Sequence, residues 1–241
     1  MTLRIAMWSG PRNISTAMMR AWESREDCSV IDEPFYACYL TETGAQHPCR
    51  EAIIASQPTV REVVVGQLNG PVEADIFYQK HMTHHMPRGC DLRWTSALCN
   101  VFLIRSPEHV IASYLQKMPT VAEADIGIVR QRELFDEITR ITGTQPPVID
   151  GRDVLDNPRG LLQQLCRTIG VAWSDNMLSW AQGSRKSDGV WASHWYQSVW
   201  ASSGFEAYQS KPIELSASAR ALADAMQPHY EAMARHRLRA W

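Results

Sequence analysis

The sequence predicts an α/β fold, a parallel sheet with helices on both faces. Two observations carry that prediction. Short apolar, strand-like runs alternate with helical stretches along the chain, the order that parallel strands need because each must be reached by a crossover. The first run, RIAMWS, turns through Gly-Pro-Arg-Asn into a helical pattern, the layout of a strand feeding a helix through a tight turn. The length of 241 residues, 45% of them hydrophobic, suffices to bury a sizeable core. One domain over residues 1–241 is expected.

Taken in order, the strand-like runs are 3–8, 29–35, 75–82, 100–106 and 147–154. Helical patterns with capping residues cover 13–25, 107–116, 125–142, 158–169 and 216 to the C-terminus. Open parallel sheets hold ligands beyond the carboxyl ends of their strands. The loops 9–16, 33–36, 80–87 and 105–113 are therefore expected to form one rim. The segment from about 183 to 211, rich in Ser, Trp and Gly, has the length and irregularity of a lid. The C-terminal helix carries Tyr230, Met233 and Leu238 among arginines; it packs either on the domain or on a second copy, as in a homodimer.

A formal charge of -2 and a pI near 6.4 offer no global attraction to nucleic acid or to a membrane surface. No apolar run approaches the roughly 20 residues of a membrane span. The six cysteines are dispersed without a Cys-x-x-Cys pair, and no signal peptide precedes the first run, which suits a cytoplasmic protein with reduced thiols.

Chemistry is concentrated in two loops. In SGPRNIST, unpaired N–H groups at a helix start would favour an anion, with Ser15 and Thr16 adding hydroxyls and Arg12 a fixed charge. The plainer reading has Asn13 capping the helix and Arg12 solvated. In FLIRSPEHVIASYLQK, Arg105 ends a strand beside a helix start and Ser113 lies two turns on, an arrangement suited to a second phosphate. The plainer reading pairs Arg105 with a carboxylate.

These loops resemble the sulfotransferase family. SGPRNIST is similar to its 5'-phosphosulfate loop, and RSPEHVIASYLQK to its 3'-phosphate motif. VIDGRDVLDNPRGLLQQLCRTIGV resembles the late strand, loop and helix, and SRKSDGVW the loop that closes over the 3'-phosphate. The four matches occur in family order. Asn13-Ile14 replaces the usual Ser-Gly, and Ser187 stands for the first Gly of the closing loop.

The resemblance implies the P-loop nucleoside triphosphate hydrolase-like fold of sulfotransferases and transfer of a sulfuryl group from 3'-phosphoadenosine-5'-phosphosulfate to a hydroxyl or amine of a small-molecule acceptor, without a metal. It places the donor on Gly10, Pro11, Arg12, Asn13, Ile14, Ser15, Thr16, Arg105, Ser113, Arg185 and Lys186. Arg12 and Lys80 are candidates for stabilising the leaving phosphate. Two residues compete as base for the acceptor proton, with Glu33 in IDEPFY favoured slightly over His81 in QKHM.

Other features stay open. His81, His84 and His85 could supply three imidazoles to a metal, but no carboxylate partner is evident and none is expected. Asp32 and Asp150 are read as strand-end caps. Trp191, Trp195 and Trp200 could wall an acceptor or form a hydrophobic lid or subunit contact. A nucleotide-dependent kinase of related fold would want a loop Lys beside Ser/Thr, where this chain has Arg. A noncatalytic nucleotide-binding protein would tolerate loss of Glu33 or His81.

Overall fold

A computed structural model describes residues 2–208 and 212–240. Five parallel strands, β1 (Leu3–Ser9), β2 (Cys28–Asp32), β3 (Ile76–Met82), β4 (Cys99–Ile104) and β5 (Val148–Asp150), lie in the order β2-β3-β1-β4-β5. The helices between β1 and β4 are α1 (Ser15–Glu23), α2 (Tyr36–Thr43), α3 (Arg50–Ser56) and α4 (Arg61–Asn69). After β4 come α5 (Pro107–Leu115), α6 (Glu123–Ile126) and α7 (Ile128–Thr142), and after β5 α8 (Gly151–Asp156), α9 (Pro158–Thr168), α10 (Ala192–Trp195), α11 (Gln197–Ala201) and α12 (Ala217–Ala234). None of the described helices is long and apolar enough to cross a membrane.

Central strand β1 shows why both faces must be covered. Ile5 and Met7 point one way, into a core with Met18 and Trp22 of α1 and Leu161 and Leu165 of α9. Ala6 and Trp8 point the other way, towards Leu68 of α4, Leu134 of α7 and Met233 of α12. Period-two alternation sends neighbouring side chains to opposite faces, and each large apolar side chain so buried contributes about 1.5–3 kcal/mol.

Several boundaries differ from expectation for local reasons. The run 29–35 is strand only to Asp32, because Glu33 takes φ 42° and turns the chain towards α2. The run 147–154 ends at Asp150, whose carboxylate accepts the Arg152 N–H at 2.8 Å and so caps α8. Gly127, at φ 60°, breaks the expected helix 125–142 into α6 and α7. Helices α2, α3 and α4 were absent from the pattern because seven to nine residues give too few turns for a clear 3.6-residue period. The segment 183–211 contains the short helices α10 and α11; its last residues, 209–211, lie outside the described ones. The last helix ends at Ala234 and packs on its own domain, with Tyr230 donating to Asp150 Oδ2 at 2.6 Å and Leu238 N–H to Val148 O at 2.8 Å.

Candidate active site

The chain runs from β1 to one side of the sheet and later crosses back to β4 on the other. The loops after β1 and β4 therefore meet where the strand order reverses, the place where open α/β sheets leave a crevice. A cavity of about 300 Å³ opens there. Its lining brings together Pro11, Arg12, Asn13, Ile14, Ser15, Thr16, Glu33, Lys80, Arg105 and Ser113 from all four expected rim loops.

At one end lies a cluster of unpaired cations. Arg12 Nε donates to Ser113 Oγ at 3.1 Å, and Arg105 Nη1 donates to the Arg12 carbonyl at 2.6 Å. Neither guanidinium enters an ion pair among the described residues. Burial lowers the pKa of both, and the nearby Arg12 charge lowers Arg105 further. Helix α1 begins beside them with neither a capping side chain nor an acidic residue in its first turn; the Ser15 N–H turns back to the Asn13 carbonyl, and the N–H groups that follow it in that turn suit an anion.

Local geometry explains the missing glycine of SGPRNIST. Arg12 itself adopts φ 55°, a left-handed conformation uncommon outside glycine. Asn13 does not cap α1; its side-chain amide donates to Leu103 O at 2.9 Å and ties the turn to β4. Gly10 does not line the cavity, but a Cβ there would stand 2.8 Å from Ile126 O, so the turn needs its small size.

The opposite wall is a buried network. Lys80 Nζ donates to Asp32 Oδ1 at 2.8 Å, Glu33 Oε1 at 2.6 Å and the Tyr196 hydroxyl at 2.6 Å. An ammonium has three donors, and Lys80 directs all three at these side chains, whereas the expectation had it facing a leaving phosphate. Burial acts to lower the Lys80 pKa, but Asp32 and Glu33 outweigh it and the pKa is raised. Burial pushes the Glu33 carboxyl above its usual range despite the opposing pull of Lys80. Glu33 is also the second residue of the site at positive φ. That strained turn is held by Glu33 N–H donating to Lys80 O at 3.0 Å and by Gln57 Nε2 donating to Glu33 O at 3.1 Å.

Asp32 is not a cap. It accepts from Lys80 and from Tyr196 OH at 2.7 Å, and Trp191 Nε1 donates to the same hydroxyl at 2.9 Å. Sequence reasoning missed Tyr196, whose only signal was its place in the Trp-rich segment. The three tryptophans have separate roles: Trp191 is buried, Trp195 lines the cavity with Arg12 6.0 Å above its ring, and Trp200 donates to Asp188 Oδ2 at 3.0 Å.

Three expected site residues stand elsewhere. His81 follows Lys80 on β3 and so points to the other face, stacked on Trp8 at 4.4 Å, with its Nε2 hydrogen-bonded to Gln79 Oε1 at 3.1 Å. Burial pushes its pKa down to about 3; it is a buried histidine that does not line the cavity, whereas Glu33 does. Arg185 and Lys186 are also outside the lining. Arg185 donates to Ala181 O at 3.0 Å, while the adjacent Ser187 and Asp188 bond Glu23 and Arg20 of α1.

An open parallel sheet with helices on both faces, and arginines without ion pairs at its switch point, defines an α/β protein whose cleft chemistry suits an anionic ligand. The family model described as "Sulfotransferase domain" matches residues 3–237, and the chain belongs to that family. Solved structures share the fold: a sulfotransferase from Alicyclobacillus acidocaldarius (TM-score 0.59, 10% identity, 99% of this chain and 98% of that one) and the sulfotransferase domain of the Synechococcus PCC 7002 olefin synthase (0.57, 17%, 93% and 94%). The sulfotransferase domain from the curacin biosynthetic pathway aligns at TM-score 0.51 and 14% identity, over 94% and 98%. Two Arabidopsis thaliana proteins, branched-chain-amino-acid aminotransferase-like proteins 1 and 2, are 30% and 29% identical over 96% and 86% of this chain. The chain spans 42% and 37% of their respective lengths.

Proposed function

We propose that the protein transfers a sulfuryl group from 3'-phosphoadenosine-5'-phosphosulfate to a hydroxyl or amine of a small-molecule acceptor. The observation that carries this reading is the pair Arg12 and Arg105, half-buried guanidiniums without a protein counter-ion among the described residues, converging at the start of α1. Charges partly withdrawn from water without a counter-ion are costly unless a ligand supplies the opposite charge. Arg12 and the first N–H groups of α1 suit the 5'-phosphosulfate, and Arg105 with Ser113 the 3'-phosphate. A second cavity of about 770 Å³, which shares Arg105 and Ser113 and is lined by Phe205 and Tyr208, would take the adenosine.

In the transfer, the acceptor oxygen or nitrogen forms a bond to sulfur while the bond from sulfur to the 5'-phosphate oxygen breaks. Glu33 receives the acceptor proton, and adenosine 3',5'-bisphosphate leaves. The raised pKa of Glu33 brings it closer to the operating pH, where a general base contributes about 10²–10⁴-fold. Lys80 holds that carboxylate in position, and Arg12 meets the charge growing on the leaving phosphate.

Calorimetric titration with adenosine 3',5'-bisphosphate in chelator tests the donor site. Binding in the micromolar range is expected, weakened by about 30-fold or more in Arg105→Ala because a charge-assisted bidentate contact is lost. No binding by the wild-type protein would overturn the reading.

A further inference from the structure

The lining of the 300 Å³ cavity holds more than cations. Beside Arg12 and Arg105 it includes Tyr36, His47, His84, His85, Tyr114 and Asp125. Asp125 uses Oδ2 to accept the Ala122 N–H at 2.8 Å and enters no ion pair among the described residues. His85 is 1% exposed, and neither of its ring nitrogens has a partner; Nδ1 of His84 is likewise buried and unpartnered. Buried polar atoms are rarely left unpaired, and their exceptions call for a ligand.

Burial keeps both imidazoles neutral, pushing His84 down to about 3 and His85 well below its usual range. They therefore offer lone pairs to an N–H or O–H donor without repelling a positive charge. Tyr36 stacks on His85 at 4.4 Å and bonds His47 Nδ1 through its hydroxyl at 2.8 Å. A carboxylate without a counter-ion among the described residues and unpartnered neutral imidazoles in one pocket favour a cation.

Building on the sulfotransferase reading, we infer that the acceptor is a small alcohol carrying an ammonium group, with the ammonium held at Asp125 and the His84–His85 pair. Pairing with Asp125 keeps the nitrogen protonated and without a lone pair. The group transferred then goes to oxygen: the new O–S bond replaces the donor's S–O bond, the hydroxyl proton passes to Glu33, and the product is a zwitterionic sulfate ester.

Aminopentanol, hexanol and hydroxypentanoate, primary alcohols of matched length, test this by ligand-observed magnetic resonance with adenosine 3',5'-bisphosphate added to occupy Arg12 and Arg105, so that no turnover is needed. Aminopentanol is expected to bind about tenfold or more tighter than hexanol, with hydroxypentanoate weakest. Asp125→Asn should bring the first two level, while Asp125→Glu, which keeps the charge, should retain part of the preference. Equal binding by wild type, preference for hydroxypentanoate, binding of none of the three, or a preference unchanged in Asp125→Asn overturns the inference. The bisphosphate titration reports separately on the donor site, so either reading can fail without the other.

Discussion

Lys80, which is buried, and the half-buried Arg12–Arg105 pair are cations lining one cavity, yet their surroundings differ completely. Lys80 is satisfied by Asp32, Glu33 and Tyr196 within 2.8 Å, whereas the two arginines find only a hydroxyl and a carbonyl. The first region is complete without a ligand and holds a reacting group still; the second is completed by whatever anion enters. Charge in a cleft thus identifies a binding site only when it lacks an internal partner.

Lys80→Met should sharpen this contrast most. Removing one member of a buried ion pair leaves Asp32 and Glu33 facing each other, at a cost of about 3–5 kcal/mol, to be read in urea denaturation. Glu33→Gln acts on the rate, lowering kcat by about 10²–10⁴-fold with little change in bisphosphate affinity. The wild-type rate should also fall on acidification through an inflection above the ordinary value of 4.5, because only the carboxylate accepts a proton and burial raises its pKa. That acid limb should be absent from Glu33→Gln.

Smaller effects follow at the edges of the two regions. Tyr196→Phe removes the acceptor of Trp191 Nε1 and a donor to Asp32, so a stability loss of about 1–2 kcal/mol is expected, with faster amide hydrogen exchange in α10 and α11. Arg105→Ala should lose ligand affinity yet unfold within about 1 kcal/mol of wild type, since half-buried Arg105 has no ion pair among the described residues and gives up one hydrogen bond, to the Arg12 carbonyl. A large destabilisation there would break the contrast, revealing a structural role for Arg105 like that of Lys80.

Adjacent residues show how far the sequence reaches. Lys80 and His81 stood side by side in QKHM and both invited a catalytic role, but the strand alternates, sending one to the cavity and the other onto Trp8. Asp32 and Glu33 were both visible in IDEPF. What joins them to Lys80 is the parallel register of β2 with β3, which pairs Asp32 with Lys80. The contribution of Tyr196 was hidden, because a contact across 116 residues leaves no local pattern.

The sequence by itself determined the alternation of strands and helices, the loop-to-helix anion motif and the family, because each is written in contiguous residues: apolar runs, turn formers and fixed charges at short spacing. Tertiary structure alone decided which charges were spent and which remained free. That depends on partners brought together by the sheet order and by the docking of α10 and α11, and Coulombic interaction follows distance in space whatever the separation along the chain.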